Sequence, residues 1–153
     1  MTTLITGAGL VGTSYAQQAS RRSEKVVFVD PIPREDFIRS RMGNADFTYL
    51  NEDVRSLPGL ISTINKYEVD TILNTASVIG KRVQDPIHFG YSLNVGGTQA
   101  VADAARLACR NRHLRSTRST RKIVVHAQMM RLNAVRRRAQ RLGQRGWIAS
   151  GKV

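Results

Sequence analysis

The stretch Thr3–Gly12, with the sequence Thr-Leu-Ile-Thr-Gly-Ala-Gly-Leu-Val-Gly, decides the fold. Its first four residues, Thr3–Thr6, are β-branched or apolar and predict a short strand that ends abruptly at the glycines. From Leu10 to about Arg21, small and apolar residues recur at helical spacing, which predicts a helix. A strand, a tight glycine turn and a helix in this order are typical of a dinucleotide-binding unit.

The three glycines of this turn have the spacing G-x-G-x-x-G. Gly7 allows the tight turn, Gly9 lets the main chain approach a pyrophosphate, and Gly12 lets the helix lie close to the sheet. The amino end of the helix, at Leu10 and Val11, would offer unpaired N–H groups and a partial positive charge to the phosphates. The alternative is a turn that needs its glycines for steric reasons only.

A second strand is predicted at Lys25–Asp30, because the segment is apolar until its last residue, as in a parallel strand that is covered on both faces. Asp30 stands 18 residues after Gly12, where a carboxylate can accept both hydroxyls of a ribose. The same carboxylate would repel a 2′-phosphate, although Arg34 is near enough to weaken this repulsion. The predicted cofactor is therefore NAD, with NADP disfavoured.

Strands and helices continue to alternate along the chain. We predict a strand at Asp46–Asn51, a helix at Leu57–Lys66, a strand at Asp70–Ala76, a loop through Gly80 and Pro86, and a helix at Phe89–Arg106. This alternation calls for a parallel sheet with crossover helices. The predicted fold class is α/β, a partial doubly wound, Rossmann-type sheet that forms an NAD(P)-binding domain over residues 1–106.

The charge of the chain is concentrated at its C-terminal end. Residues 1–105 carry 10 Lys and Arg and all 11 Asp and Glu, whereas residues 106–153 carry 14 Lys and Arg and no acid. We predict that residues 107–153 form an Arg-rich segment with a linker at Arg110–Lys122, a short strand at Ile123–Val125 and a basic amphipathic helix at Gln128–Leu142, or are disordered. Such a basic segment favours nonspecific binding of nucleic acid, or marks a sequence never selected as protein.

Other residues bear on the location and chemistry of the protein. Cys109 is the only cysteine, which excludes an intramolecular disulfide, and no apolar run is long enough for a membrane helix. We expect a soluble, cytoplasmic protein without a membrane partner. The three histidines share no metal-ligand spacing with the cysteine, so no metal site is predicted.

Several motifs, taken together and in order, resemble those of the extended short-chain dehydrogenase/reductases, the NAD-dependent epimerase/dehydratase group, over about residues 1–106. The turn Thr6–Gly12 is similar to the family's T-G-x-x-G-x-x-G, with one residue fewer between its first two glycines. The other matching motifs are Asp53-Val54, Ile72–Ser77, Asp85-Pro86, and Asn94 followed by Gly97-Thr98.

The resemblance implies roles for five residues. Asp53 and Val54 would contact adenine, the first through its carboxylate and the second through its main chain. Ala76 and Ser77 would line the ribose on the nicotinamide side, and Asn94 would brace the nicotinamide region. Without the resemblance, Asp53 is equally a cap for the helix that follows, and Asn94 can satisfy a local turn.

The family moves a proton with a Tyr whose pKa is lowered by a Lys four residues later. None of the tyrosines here is followed by such a Lys, and all precede the place where the family's motif would lie; they are Tyr15, Tyr49, Tyr67 and Tyr91. No catalytic residue is therefore predicted. We expect an NAD(P)-binding protein that is an incomplete oxidoreductase or epimerase, truncated, frameshifted or divergent from about Leu107.

Two alternatives remain open at this level. The chain is also consistent with an NAD-sensing or nucleic-acid-associated Rossmann-type module with a basic tail. In the other alternative, a partner chain completes the sheet and supplies the missing Tyr. The incomplete sheet also favours self-association into a homo-oligomer.

Overall fold

The computed structural model describes residues 1–115 and 124–127, with side chains described through residue 109. The strands are β1 (Thr2–Thr6), β2 (Lys25–Val29), β3 (Thr48–Leu50), β4 (Thr71–Asn74) and β5 (Val124–Ala127). The helices are α1 (Leu10–Arg21), α2 (Glu35–Met42), α3 (Leu57–Lys66), α4 (Lys81–Gln84), α5 (Ile87–Tyr91), a π-helical turn (Ser92–Gly96) and α6 (Gly97–Arg115).

The five strands form one parallel sheet in the order β3-β2-β1-β4-β5. The chain moves outward from β1 through β2 to β3, and then returns across the sheet to pair β4 with the other side of β1. The strand order therefore reverses between β1 and β4, and ligands of such sheets bind beyond the carboxyl ends of the strands at this reversal. The predicted α/β, Rossmann-type fold is confirmed.

Both faces of the sheet are covered, which explains why β2 is apolar after its exposed first residue, Lys25. Val27 and Val29 belong to the core beneath α3 and α6. Val26 and Phe28 belong to the core beneath α1 and α2. Since neighbouring side chains of a strand point to opposite faces, a strand covered on both sides needs an apolar residue at every position.

The predicted bounds agree with the structure best where a helix has a clear apolar face. Helix α1 ends where it was predicted to, and α3 spans the predicted residues. Helix α2 was not predicted, because only Ile38 and Met42 are buried on it, which is too short a pattern to recognise. The sequence signal that could have predicted this helix is the pair of acids in its first turn, Glu35 and Asp36, because acids favour the start of a helix.

The predicted loop through Gly80 and Pro86 is wrong, because α4 and the start of α5 lie within it. Pro86 is the N-cap of α5, a place where a proline disturbs no helical hydrogen bond. The helical segment that follows extends to Arg115, past the predicted domain boundary and into the first part of the predicted linker. Strand β5 lies where a strand was predicted, shifted toward the C-terminus by one residue at its start.

Among the residues that the structure describes, none of the helices combines the length and the apolar character that crossing a bilayer requires.

Candidate functional site

The turn after β1 has the tight geometry that its first glycine allows. Gly7 has a φ of +87°, and its N–H donates a hydrogen bond to the carbonyl of Val29 at 2.8 Å. A Cβ at this position would lie 2.7 Å from the main-chain nitrogen of Ala76. The turn therefore lies directly against the segment that follows β4, and only glycine fits there.

The third glycine lets α1 approach the sheet closely. A Cβ at Gly12 would collide with the carbonyl oxygen of Gly7 and would lie 3.1 Å from the side chain of Ile5. The first turn of α1 is thus packed on the glycine turn and on β1, as the spacing predicts.

Gly9 differs from the other two glycines because no steric need explains it. It has a φ of −83°, and a Cβ there would meet no atom within 4 Å. It is the N-cap of α1 without a side-chain cap, and the first turn of the helix holds no acidic residue. Leu10 and Val11, the next two residues, are exposed. Their N–H groups belong to the first turn, where the helix itself supplies no acceptor, so this end of α1 is open to an anion.

Asp30 is buried at the end of β2 and is fixed to the glycine turn. Its Oδ2 accepts a hydrogen bond from the Ala8 N–H at 2.9 Å, and its Oδ1 accepts one from the Ile32 N–H at 2.9 Å. The Nε of Arg34 lies 3.6 Å from the same Oδ2, so the predicted proximity of this arginine is observed. The carboxylate has about four acceptor positions, and two of them are occupied by main-chain amides.

A cleft of about 850 Å³ lies between the segment that follows β2 and the residues at the end of β3. Arg34, Tyr49 and Asn51 are among the residues that line it. The Tyr49 hydroxyl contacts the main-chain oxygens of Asp30 and Ile32 at 2.7 Å each and so fixes the segment after β2. Burial, and then the nearby carboxylates of Asp30 and Glu35, raise the pKa of Tyr49.

Asp53 lies in the loop after β3, and its carboxylate is held by Arg55 rather than by the following helix. Arg55 donates to it from the main-chain N–H at 2.8 Å and from Nε at 2.9 Å. The N-cap of α3 is Ser56, whose hydroxyl accepts the Gly59 N–H, so the alternative of Asp53 as a helix cap is wrong. The hydrogen bonds from Arg55 hold the pKa of Asp53 below its ordinary value.

Val54, the neighbour of Asp53, is buried in the core beneath α3 and α6. A Cβ added to Gly97 would lie 2.8 Å from the Cγ1 of Val54, so the loop after β3 packs closely against the start of α6. Its side chain is thereby committed to packing, and only its main chain is left to face a ligand.

The segment after β4 is tied to β1 and to the helices by side chains. Thr75 Oγ1 lies 2.8 Å from the carbonyl oxygens of both Thr6 and Gly7. Asn74 accepts the Thr6 hydroxyl at 2.6 Å and donates to Thr98 Oγ1 at 3.1 Å. Sequence reasoning assigned no role to these polar residues, although a hydroxyl and an amide at the end of a buried strand are a recognisable signal.

Asn94, in the π-helical turn, exchanges two hydrogen bonds with the main chain of Val78, at 2.9 and 3.0 Å. Its side chain therefore braces the segment after β4 and does not serve a turn of its own. Ala76 is half-buried and Ser77 is exposed between these two supports. Apart from Asn94, the predicted residues thus lie in the turn after β1 and the first turn of α1, at the end of β2, and on the loops after β3 and β4, at the carboxyl edge of the sheet.

Several predictions about the basic end of the chain lie outside the described residues. These are the amphipathic helix at Gln128–Leu142, the linker beyond residue 115 and the binding of nucleic acid through this segment.

No protein-family model matches the sequence, and no curated protein matches it. Among solved structures, the chain resembles the UDP-glucose 4-epimerase of Stenotrophomonas maltophila with bound NAD and formylated UDP-arabinopyranose, with a TM-score of 0.63 and 23% identity over 71% of this chain and 34% of that one. The UDP-glucose 4-epimerase of Brucella ovis in complex with NAD is 28% identical, with a TM-score of 0.57 over 70% of this chain and 32% of that one.

The UDP-glucose 4-epimerase of Bifidobacterium longum in complex with NAD⁺ and UDP gives a TM-score of 0.61 and 21% identity over 71% of this chain and 34% of that one. The chain spans about a third of the length of these structures. Its fold is therefore that of a part of the NAD-bound UDP-glucose 4-epimerases, and the resemblance to the NAD-dependent epimerase/dehydratase group that the motifs indicated is confirmed in fold.

Proposed function

We propose that the chain binds a nicotinamide dinucleotide, NAD in preference to NADP, at the carboxyl edge of its sheet. The observation that carries this proposal is the open space at Gly9 in front of an uncapped helix amino end. Steric need explains Gly7 and Gly12 but leaves Gly9 without a reason. Access of a bulky anion to the main chain supplies that reason.

The diphosphate of the dinucleotide would lie against Gly9 and accept hydrogen bonds from the N–H groups of Leu10, Val11 and Gly12. The partial positive charge at the amino end of α1 favours an anion there, and no acid in the first turn opposes it. Gly7 and Gly12 hold these amides in place by fixing the turn against the segment after β4 and against β1.

The adenine-side ribose would lie at Asp30, next along the sheet from the turn. The carboxylate retains about two acceptor positions, which suit the two ribose hydroxyls. Because Asp30 also holds the Ala8 N–H, the ribose contact and the phosphate contact belong to one rigid unit. A 2′-phosphate would meet this carboxylate, with only Arg34 to offset the repulsion.

The two ends of the dinucleotide would extend to opposite sides of the glycine turn. The base would lie over the loop after β3, facing the main chain of Val54 and the carboxylate of Asp53. The nicotinamide would lie toward Ala76 and Ser77, on the segment that Asn94 braces. When bound, NAD supplies the hydride acceptor, and the protein supplies position and charge.

The chain would bind the cofactor without catalysing hydride transfer alone. In the family that the chain resembles, a phenol with a lowered pKa transfers the proton, whereas the pKa of Tyr49 is raised by burial and by nearby carboxylates. Tyr91 is exposed and is not followed by a Lys four residues later. Another chain would have to provide the acid–base group.

A calorimetric titration of the full chain tests the binding. We expect NAD to bind the wild type and to bind Gly9→Ala about tenfold more weakly, because the methyl group occupies the space of a phosphate oxygen. Gly96→Ala is the matched control, since a Cβ there also meets no atom within 4 Å and the residue holds no predicted ligand contact. Equal affinities of wild type and Gly9→Ala, or no binding by the wild type, would refute the proposal.

A further inference from the structure

A chain of side-chain hydrogen bonds runs from the end of β1 to the π-helical turn. The Thr6 hydroxyl donates to Oδ1 of Asn74 at 2.6 Å, and Nδ2 of Asn74 donates to Oγ1 of Thr98 at 3.1 Å. The Thr98 hydroxyl then donates to the main-chain oxygen of Asn94 at 2.8 Å. All three bonds point in the same direction, and hydrogen bonds arranged in this way polarise and strengthen one another.

Asn74 is the central member of this chain of hydrogen bonds. Its amide oxygen accepts from β1 and its amide nitrogen donates to the first turn of α6, so the side chain connects the two elements. Asn74 is buried, with 5% of its surface exposed, and an unpaired polar group at such a place is costly. Its side chain is therefore fixed in an arrangement that satisfies both neighbours.

The last acceptor of the chain lies where the helical segment departs from α-helical geometry. Asn94 is in the middle of the π-helical turn, a feature that is frequent at functional sites. Thr98 bonds to the oxygen of the residue four positions before it, and bonds of this kind often accompany a bend in a helix. The position of the π-helical turn is therefore coupled to β1 through Asn74.

This helical turn also holds the far end of the segment after β4. The side chain of Asn94 exchanges two hydrogen bonds with the main chain of Val78. The near end is held by Thr75, whose hydroxyl oxygen lies 2.8 Å from the carbonyl oxygens of Thr6 and Gly7. Both ends of the segment are thus tied to the end of β1, where the glycine turn of the diphosphate site begins.

We infer that Asn74 is a positioning residue for the nicotinamide riboside. Through Thr98 it sets the place of the π-helical turn, and thereby the place of the segment that would line this half of the cofactor. The inference rests on the proposed dinucleotide binding and adds to it a residue that acts without touching the ligand. The proposed contacts of the adenosine and the diphosphate, at Asp30 and the amino end of α1, include no member of this chain of hydrogen bonds.

Calorimetric titration of the full chain with NAD and with ADP tests the inference, because ADP has the adenosine and the diphosphate but lacks the nicotinamide riboside. In Asn74→Ala, we expect the dissociation constant of NAD to rise about fivefold relative to that of ADP. Thr98→Val removes the hydroxyl, keeps the shape of the side chain and should change the ratio similarly. Because both residues act in one chain of hydrogen bonds, the double variant should not exceed the larger single effect.

Thr98→Ser is the matched control, because it keeps the hydroxyl, and its ratio of dissociation constants should equal that of the wild type. Ser40→Ala is a second control, since it removes another hydroxyl that bonds to a helical carbonyl, that of Phe37 at 2.8 Å on α2. It should also leave the ratio unchanged. A variant that only destabilises the protein would weaken NAD and ADP alike, and the ratio would stay as it is.

Two results would overturn the inference alone: a Thr98→Val variant whose ratio equals that of the wild type, or a Thr98→Ser variant whose ratio changes as much as that of Thr98→Val. Thr98→Val decides the question even if Asn74→Ala does not fold. Binding of neither NAD nor ADP to the wild type would overturn the proposed function, and this inference with it.

Discussion

The glycine turn requires glycine at its three positions for two different physical reasons. Gly7 and Gly12 are required because a Cβ has no room, while Gly9 is required only if a ligand needs the space. The sequence predicted the location of all three from their spacing. It could not show that the reasons differ, because the contacts of Gly7 with the segment after β4 come from residues far along the chain.

The first prediction concerns the stability of this turn. Gly7→Ala should lower the free energy of unfolding by about 1–3 kcal/mol, because alanine disfavours a φ of +87° and its Cβ would lie 2.7 Å from a main-chain nitrogen. Gly9→Ala should cost less than about 1 kcal/mol, since only the N-cap preference changes. Denaturant unfolding of the two variants measures this difference, and equal costs would contradict the steric account of Gly7.

The second prediction concerns Asp30, which serves the fold and the ligand at once. Asp30→Asn replaces one acceptor oxygen by an NH₂ group that faces a main-chain N–H, and should destabilise the protein by about 1–3 kcal/mol. It should also weaken NAD binding and shift the preference toward NADP, because the charge that repels a 2′-phosphate is gone. Titration with both cofactors gives the ratio of their dissociation constants, which should stay unchanged if Asp30 acts only in folding.

Among the elements, the two best-predicted helices have several turns of regular apolar spacing, while the missed ones are short. The buried faces of α1 and α3 can be recognised in the sequence. Helix α4 has no buried residue at all, so no periodic pattern existed to predict it. The partner of Asn94, the main chain of Val78, has no side-chain signal that a sequence can reveal, and the role of Asn94 toward the nicotinamide stays a prediction.

The third prediction tests the support of the segment after β4. Asn94→Ala removes both hydrogen bonds to Val78 and should lower the free energy of unfolding by about 1–2 kcal/mol. Asn94→Asp keeps an acceptor for the Val78 N–H, but when ionised it has no donor for the Val78 carbonyl, so its cost should be smaller at a pH where the carboxyl is protonated and can donate. If both variants unfold as the wild type does, the segment does not depend on this brace.

The fourth prediction concerns pH and the link between β1 and the turn that precedes β2. Burial alone would raise the pKa of Glu24, but hydrogen bonds from Thr3 and Arg22 outweigh it and hold the pKa below its ordinary value. Because the pKa is depressed, the ionised carboxylate stabilises the fold at pH values above 4.5, the ordinary pKa of a glutamate. This stability is lost as the pH falls through the lower pKa of the folded state.

Unfolding measured between about pH 3 and pH 6 should therefore show a decline in wild-type stability at the acidic end, and this decline should be smaller in Glu24→Gln. Thr3 donates its hydroxyl to Glu24 at 2.6 Å, and Gln can still accept it, so the two proteins should differ mainly in the slope with pH. Parallel curves for the two proteins would mean that Glu24 does not contribute to the acid sensitivity.

In the whole molecule, the strand order β3-β2-β1-β4-β5 brings the loops after β1, β3 and β4 to one edge, so residues distant in sequence form one site. Alternating strands and helices predicted the parallel sheet, and the glycine turn predicted which edge would matter. The order of the strands and the cleft between the segment after β2 and β3 depend on packing between segments, and no local pattern predicts them.

Ligand binding at this edge should stabilise the molecule as a whole. At a concentration of NAD about 100 times its dissociation constant, the free energy of unfolding should rise by about 2.7 kcal/mol. Thermal unfolding of the full chain with and without NAD measures this increase, and Gly9→Ala at the same NAD concentration should show a smaller one.

The most direct test of the central claim is a titration of the ¹⁵N-labelled full chain with NAD, followed by the shifts of the main-chain amide signals. Diphosphate binding at the amino end of α1 predicts that the amides from Ala8 to Gly12 shift most, with Gly9, Leu10 and Val11 foremost. Unchanged signals in this turn at saturating NAD, or shifts confined to another part of the chain, would contradict the account.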